Sequence, residues 1–180
     1  MDTLEFDNVF NEEFAYPLLE AGFSFVGKGK TLKYTQGYNE LRIIRVGGRL
    51  LRPGIMRSAL CFRHTFLRPV RDENPTQTTI YVEDCPRKLT IQEFSGWIAG
   101  SLNYRPENGG RWRYDEVEYA NFSEREVRNR LRALCDIVTD RVIQWSHSLT
   151  PEGELAQIKK YGEQAWCELR WIEDYERFIS

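Results

Sequence analysis

The residues from Ile55 to Phe66 alternate in character: Met56, Leu60, Phe62 and Phe66 fall on one side of an extended chain, and Arg57, Ala59, Cys61, Arg63 and Thr65 on the other. Successive side chains of a strand point to opposite faces, so this pattern fits a strand with one buried and one basic face. After Ser123 the period changes. Val127, Leu131, Leu134, Val138, Val142 and Trp145 recur at three- and four-residue steps, the spacing of an amphipathic helix. A chain that passes from period two to period 3.6 without alternating between them is expected to be α+β rather than a doubly wound parallel fold.

The rest of the chain fits that frame. Phe6, Val9, Phe10, Phe14, Pro17 and Leu18 mark a helix from about Leu4 to Glu20, and Gly22 supplies its stop. Phe23 to Val26, Thr31 to Thr35 and Leu41 to Val46 read as short strands, separated by a Gly27-Lys28-Gly29-Lys30 loop and closed by Gly47-Gly48. Thr78 to Val82 and Trp112 to Tyr119 are further strand candidates, Ile91 to Ile98 is a short helix candidate, and Pro69 to Gln77 and Asn103 to Gly110 read as loops. Ser123 and Glu126 have the spacing of a capping box, and Thr150-Pro151-Glu152 has the cap, proline and acid of a helix start. Glu163 to Ile179 is expected to be helical again. The expectation is one domain: an antiparallel sheet from about Phe23 to Val82, covered on one face by the N-terminal helix and two to three C-terminal helices.

Charge is distributed unevenly over this frame. From Lys28 to Arg71 there are eleven basic residues and one acid, Glu40, a net +10; the remainder carries 14 basic and 26 acidic residues, so the overall charge is only −2. Such segregation points to an anionic ligand or an acidic partner for the basic segment, or to its neutralisation inside the fold. Arg42, Arg45, Arg57, Arg63 and His64 are the candidate ligand-binding residues. Arg57 and Arg63 are six residues apart, about 20 Å along a regular strand and on one face, and the small Ala59 and Cys61 between them suggest open ground. Arginine grips phosphate or carboxylate with paired hydrogen bonds. The overall acidity argues against nucleic acid as the partner.

Signatures of catalysis are absent. GxSxG, HExxH, Walker and dinucleotide motifs do not occur, and Gly27-x-Gly29 and Gly47-Gly48 are too short to cradle a phosphate alone. His64-Thr65 and His147-Ser148 resemble the paired motifs of two-histidine phosphoesterases, but the hydroxyl follows one position after the histidine instead of two and falls on the opposite face of a strand. Asp115, Glu116 and Glu118 read as a solvated acidic edge. The four cysteines, Cys61, Cys85, Cys135 and Cys167, form no close pair in sequence, so no zinc site and no cofactor are expected, and free thiols suggest a reducing cytoplasm. No signal peptide or membrane span is read. Near the C-terminus Trp166, Trp171 and Tyr175, with Phe178, form a broad aromatic stripe beside Glu168, Glu173, Asp174 and Glu176. It suits either core packing or a surface for a partner protein.

The helix ending Leu18-Leu19-Glu20-Ala21-Gly22-Phe23, the Lys/Gly turn after it and the strand residue Gln36 resemble the bacterial domain-of-unknown-function family numbered 4304. The stretch Gly162-Glu163-x-Ala165-Trp166-x-Glu168 is compatible with it. The resemblance covers about the first forty and last twenty residues and carries no catalytic motif. It implies a bacterial α+β domain, of a kind associated with toxin immunity or phage conflict. Together these features favour a non-catalytic binding protein, an immunity or anti-defence factor or a sensor of an anionic ligand. The alternative is an enzyme acting on a nucleotide or phosphoester, with the arginines on the phosphate and His64 as acid–base group.

Overall fold

The computed structural model describes residues 1–27, 31–46, 52–70, 79–94 and 114–180. The Lys28 to Lys30 part of the first loop, Gly47-Gly48, most of the Pro69 to Gln77 loop, the Asn103 to Gly110 loop and the part of Ile91 to Ile98 beyond Phe94 lie outside them.

The described chain is α+β and its sheet is antiparallel. Strands β1 (Ser24–Val26), β2 (Thr31–Gln36), β3 (Asn39–Arg45) and β4 (Ile55–His64) pair in sequence order. β4 is the longest, and two short strands share its outer edge: β5 (Arg87–Leu89) opposite Leu60 to Phe62, and β6 (Asp115–Glu118) opposite Ile55 to Ser58. The β2–β3 register is set by the two-residue turn Gly37-Tyr38, where Gly37 has φ 57°, a conformation that costs glycine little.

The N-terminal helical stretch runs as α1 (Thr3–Phe10), a π-helical turn (Asn11–Ala15) and α2 (Tyr16–Glu20). It opens on a capping box in which the Glu5 amide donates to Asp2 at 2.9 Å and the Asp2 amide donates to Glu5 at 2.8 Å. It closes at Gly22, φ 98°, where the Phe23 amide returns to the Leu18 carbonyl at 2.9 Å. The second long helix starts on the Ser123–Glu126 capping box and comprises α3 (Glu124–Ile137), a π-helical turn (Val138–Val142) and α4 (Ile143–His147). Thr150 caps α5 (Pro151–Tyr161) through the Gly153 amide, and two 3-10 turns lead to α6 (Ile172–Ile179).

One face of the sheet, carrying Leu32, Leu41, Ile43, Met56, Leu60 and Phe62, packs against Phe6, Phe10, Phe14 and Leu18 of the first helical stretch and Val127, Leu131, Leu134, Val138 and Trp145 of the second. Arg128 ties the two stretches together outside the core, donating to Glu13 at 2.6 Å and Glu12 at 2.8 Å. The last two helices meet the same face at its His64 end, through Tyr175 on His64 and Glu154 on Arg87. They build a second core from Ile158, Ala165, Trp171 and Tyr175 around Leu67, just beyond β4. A bidentate ion pair joins this unit to the sheet: Arg87 donates to both Glu154 oxygens at 2.7 Å, with both side chains buried.

Two expectations change. The described residues of the Thr78 to Val82 candidate form no strand, because the buried Asp84 carboxylate accepts from the Val70 amide at 2.6 Å and the Tyr81 amide at 2.7 Å and folds the chain into a 3-10 turn at Val82–Asp84. The strand comes later, at β5. The other face of β4 is also not open ground. Ala59 and Cys61 are fully buried there beneath Cys85, with Ile44, Val46, Ile80, Val82 and Tyr114 packed around them.

Candidate functional site: a cationic hollow on the second sheet face

The β2–β3 register sets Lys33 opposite Arg42, and the β3–β4 register sets Glu40 opposite Arg63. Parity puts all four on the face away from Leu41 and Phe62, and neighbouring strands lie only about 4.8 Å apart, so the four side chains converge. They line a hollow of about 450 Å³ whose other walls include Val26, Thr65, Leu67, Pro69 and Ile80.

Three of the four are buried, and Arg63 is the least exposed, at 3%. The chain turns sharply after β4, with the Leu67 amide donating to the His64 carbonyl at 3.2 Å. The turn aims two carbonyls at the guanidinium, which donates from Nε to His64 at 3.3 Å and from Nη2 to Leu67. No carboxylate pairs with Arg63 among the described residues, and its buried Nη1 has no hydrogen-bond partner there. Its cross-strand neighbour Glu40 bonds Arg42 Nε instead, at 2.8 Å. That bond leaves both terminal nitrogens of Arg42 outside it. Lys33 makes no ion pair among the described residues. Three cations therefore face one carboxylate.

The other expected ligand-binding residues lie elsewhere. Arg45 belongs to the opposite face, paired with Asp7 at 3.0 Å and lying over the Phe10 ring at 5.1 Å. Arg57 shares the face of Arg63, but it is in a cross-strand ion pair with Glu116 at 2.6 Å, and the packed Ala59 and Cys61 separate it from the hollow. His64 points into the core side. It is fully buried, its Nδ1 lies 3.1 Å from the Tyr175 hydroxyl, and its ring stacks on Phe66. Burial pushes its pKa down to about 4, with the charges of Arg87 and Arg63 acting the same way and the Leu149 backbone opposing them. A histidine held neutral on the other side of the strand does not meet a ligand in the hollow.

The aromatic stripe is divided. Trp171 and Tyr175 are core residues at 2% and 0% exposure, with the Trp171 indole donating to the Arg68 carbonyl at 2.8 Å. They present no surface, because the segment from Phe66 to Val70 folds over them. Trp166 is exposed.

Lys33 and Glu40 were absent from the sequence-derived site, although a signal for them exists: a two-residue turn at Gly37-Tyr38 fixes Lys33 against Arg42 and Thr35 against Glu40. Beside the hollow, Cys61 and Cys85 are buried neighbours, and the Cys85 thiol pKa is pushed well up by its hydrogen bond to Cys61 and by burial. Lys88, opposite Cys61 in the register, lies with its ammonium 4.0 Å from the Tyr114 ring centre, and burial brings its pKa down to about 7. Among the described residues no three His, Cys, Asp or Glu side chains gather as a metal site, and no helix is long and apolar enough to cross a membrane.

No family model, no curated protein and no solved structure matches this chain.

Proposed function

We propose that the protein is a non-catalytic binding protein whose ligand is a small anion held in the hollow by Lys33, Arg42 and Arg63. The observation that carries this reading is the buried Arg63 guanidinium, which lines the hollow with, among the described residues, one nitrogen unpartnered and no carboxylate against it. A buried charge without a counter-charge is costly, and an anion in the hollow supplies one. Guanidinium groups suit this role because their planar donors match phosphate and carboxylate oxygens. Lys33 adds a partly exposed ammonium at the rim, and Glu40 holds Arg42 by its Nε so that the rest of that guanidinium is available.

Calorimetric titration with inorganic phosphate at low ionic strength tests the reading. Binding is expected to weaken several-fold in Lys33→Gln and to fall as salt is raised, since the partly exposed Lys33 and the incoming anion are both screened by salt. Phosphate binding that is absent, or indifferent to Lys33→Gln, overturns it.

A further inference from the structure

The hollow is larger than a bare inorganic anion requires, and its walls are of two kinds. Lys33, Arg42 and Arg63 gather at the sheet, whereas Val26, Pro69 and Ile80 contribute apolar surface to the same space of about 450 Å³. Val26 pairs with Thr31 in the β1–β2 register, which sets it on the face of Lys33, partly open to solvent at the edge of the sheet. Ligand sites of this size typically combine an apolar lining with a few convergent polar groups. The charges also differ from those a carboxylate needs: three cations against Glu40 leave a surplus of two. A carboxylate monoanion neutralises half of that surplus. A phosphomonoester, with charge close to −2 at neutral pH and three acceptor oxygens, neutralises it and offers acceptors to several cationic side chains at once.

We infer that the hollow takes an organic phosphomonoester, its phosphate against Arg63, Arg42 and Lys33 and its apolar or aromatic body against Val26 and Ile80. This rests on the anion-binding reading above and adds to it the dianionic head and the apolar body. Phosphate charge provides attraction and orientation; the body removes apolar surface from water and distinguishes an ester from the free anion.

The test compares inorganic phosphate, phenyl phosphate and benzoate, titrated into the full chain at one low ionic strength and near neutral pH. Phenyl phosphate is expected to bind about tenfold tighter than either of the others, a difference within reach of one partly buried ring. Val26→Ala lies on a three-residue edge strand and is expected to reduce that advantage while weakening inorganic phosphate far less. Equal affinities for inorganic and phenyl phosphate overturn the inference but leave anion binding standing. Benzoate binding as tightly as phenyl phosphate overturns the dianionic head. Should none of the three bind, the anion-binding reading fails and the inference fails with it.

Discussion

Arg87 on β5 and Glu154 on α5 form a bidentate ion pair with 2.7 Å bonds at both oxygens, and the two side chains are 3% and 2% exposed. The pair connects the sheet to the second core, so removing one member leaves the other buried without a counter-charge. Glu154→Ala is expected to cost about 3–5 kcal/mol. The double variant Arg87→Met with Glu154→Leu is expected to recover much of that loss. Urea denaturation midpoints of the single and double variants check both.

His64 makes stability depend on pH in a stated direction. Its folded pKa of about 4 lies below the ordinary 6.5, so between these values the unfolded chain binds the proton and the folded one does not. The stabilisation is complete above about pH 6.5 and is lost as pH falls towards 4, on the order of 3 kcal/mol in all. Asp115 acts in the opposite sense. Burial lifts its pKa from 3.8 to about 6, so its contribution is lost as pH rises through that window. Comparing unfolding free energies of the parent and His64→Gln from pH 7 to 4 isolates the histidine; parallel curves would show that His64 does not titrate as stated.

Leu131 is fully buried between the second long helix and the sheet, and Leu134 is 5% exposed on the same stripe. Leu131→Ala is expected to destabilise by about 2–5 kcal/mol, with Leu134→Ala in the same range or just below it. An unchanged denaturation midpoint for Leu131→Ala would contradict the packing described.

Thiol reactivity separates the cysteines. All four are free; Cys61, Cys85 and Cys135 are buried, and Cys167 is partly exposed. A disulfide exchange reagent is expected to modify Cys167 alone in the native protein and all four after unfolding. Rapid modification of Cys61 or Cys85 would mean that the segment over the second sheet face opens readily.

Most of the fold can be read from local signals, because caps and periodicity are local physics. The Ser123–Glu126 box, the Thr150 cap and the Gly22 stop each appear as read, whereas β4, expected to have one open basic face, is buried on both faces from Ser58 to His64. Strand β5 escapes such reading. Its residues Arg87, Lys88 and Leu89 have no apolar alternation, and two of them are buried only because Glu154 and the Tyr114 ring meet them from distant parts of the chain. The site was legible in part for the same reason. Arg42 and Arg63 stand out by charge, but which cations share a hollow depends on register between strands, and that brings in Lys33 and Glu40 and sends Arg45 and His64 to the other face. The width of the aromatic stripe misleads because the Phe66 to Val70 segment, at the junction of the strand and loop readings, supplies apolar side chains that close over Trp171 and Tyr175.

The side-chain Nε–H resonances of the arginines test the hollow most directly, because each guanidinium in question occupies a different place. Titrated with phenyl phosphate at low ionic strength, the resonances of Arg42 and Arg63 are expected to shift with one common midpoint. Arg45, held by Asp7, and Arg57, held by Glu116, are expected to stay in place. Equal movement of all four would mark diffuse attraction to a basic segment, and no movement of Arg63 would contradict the account of the site.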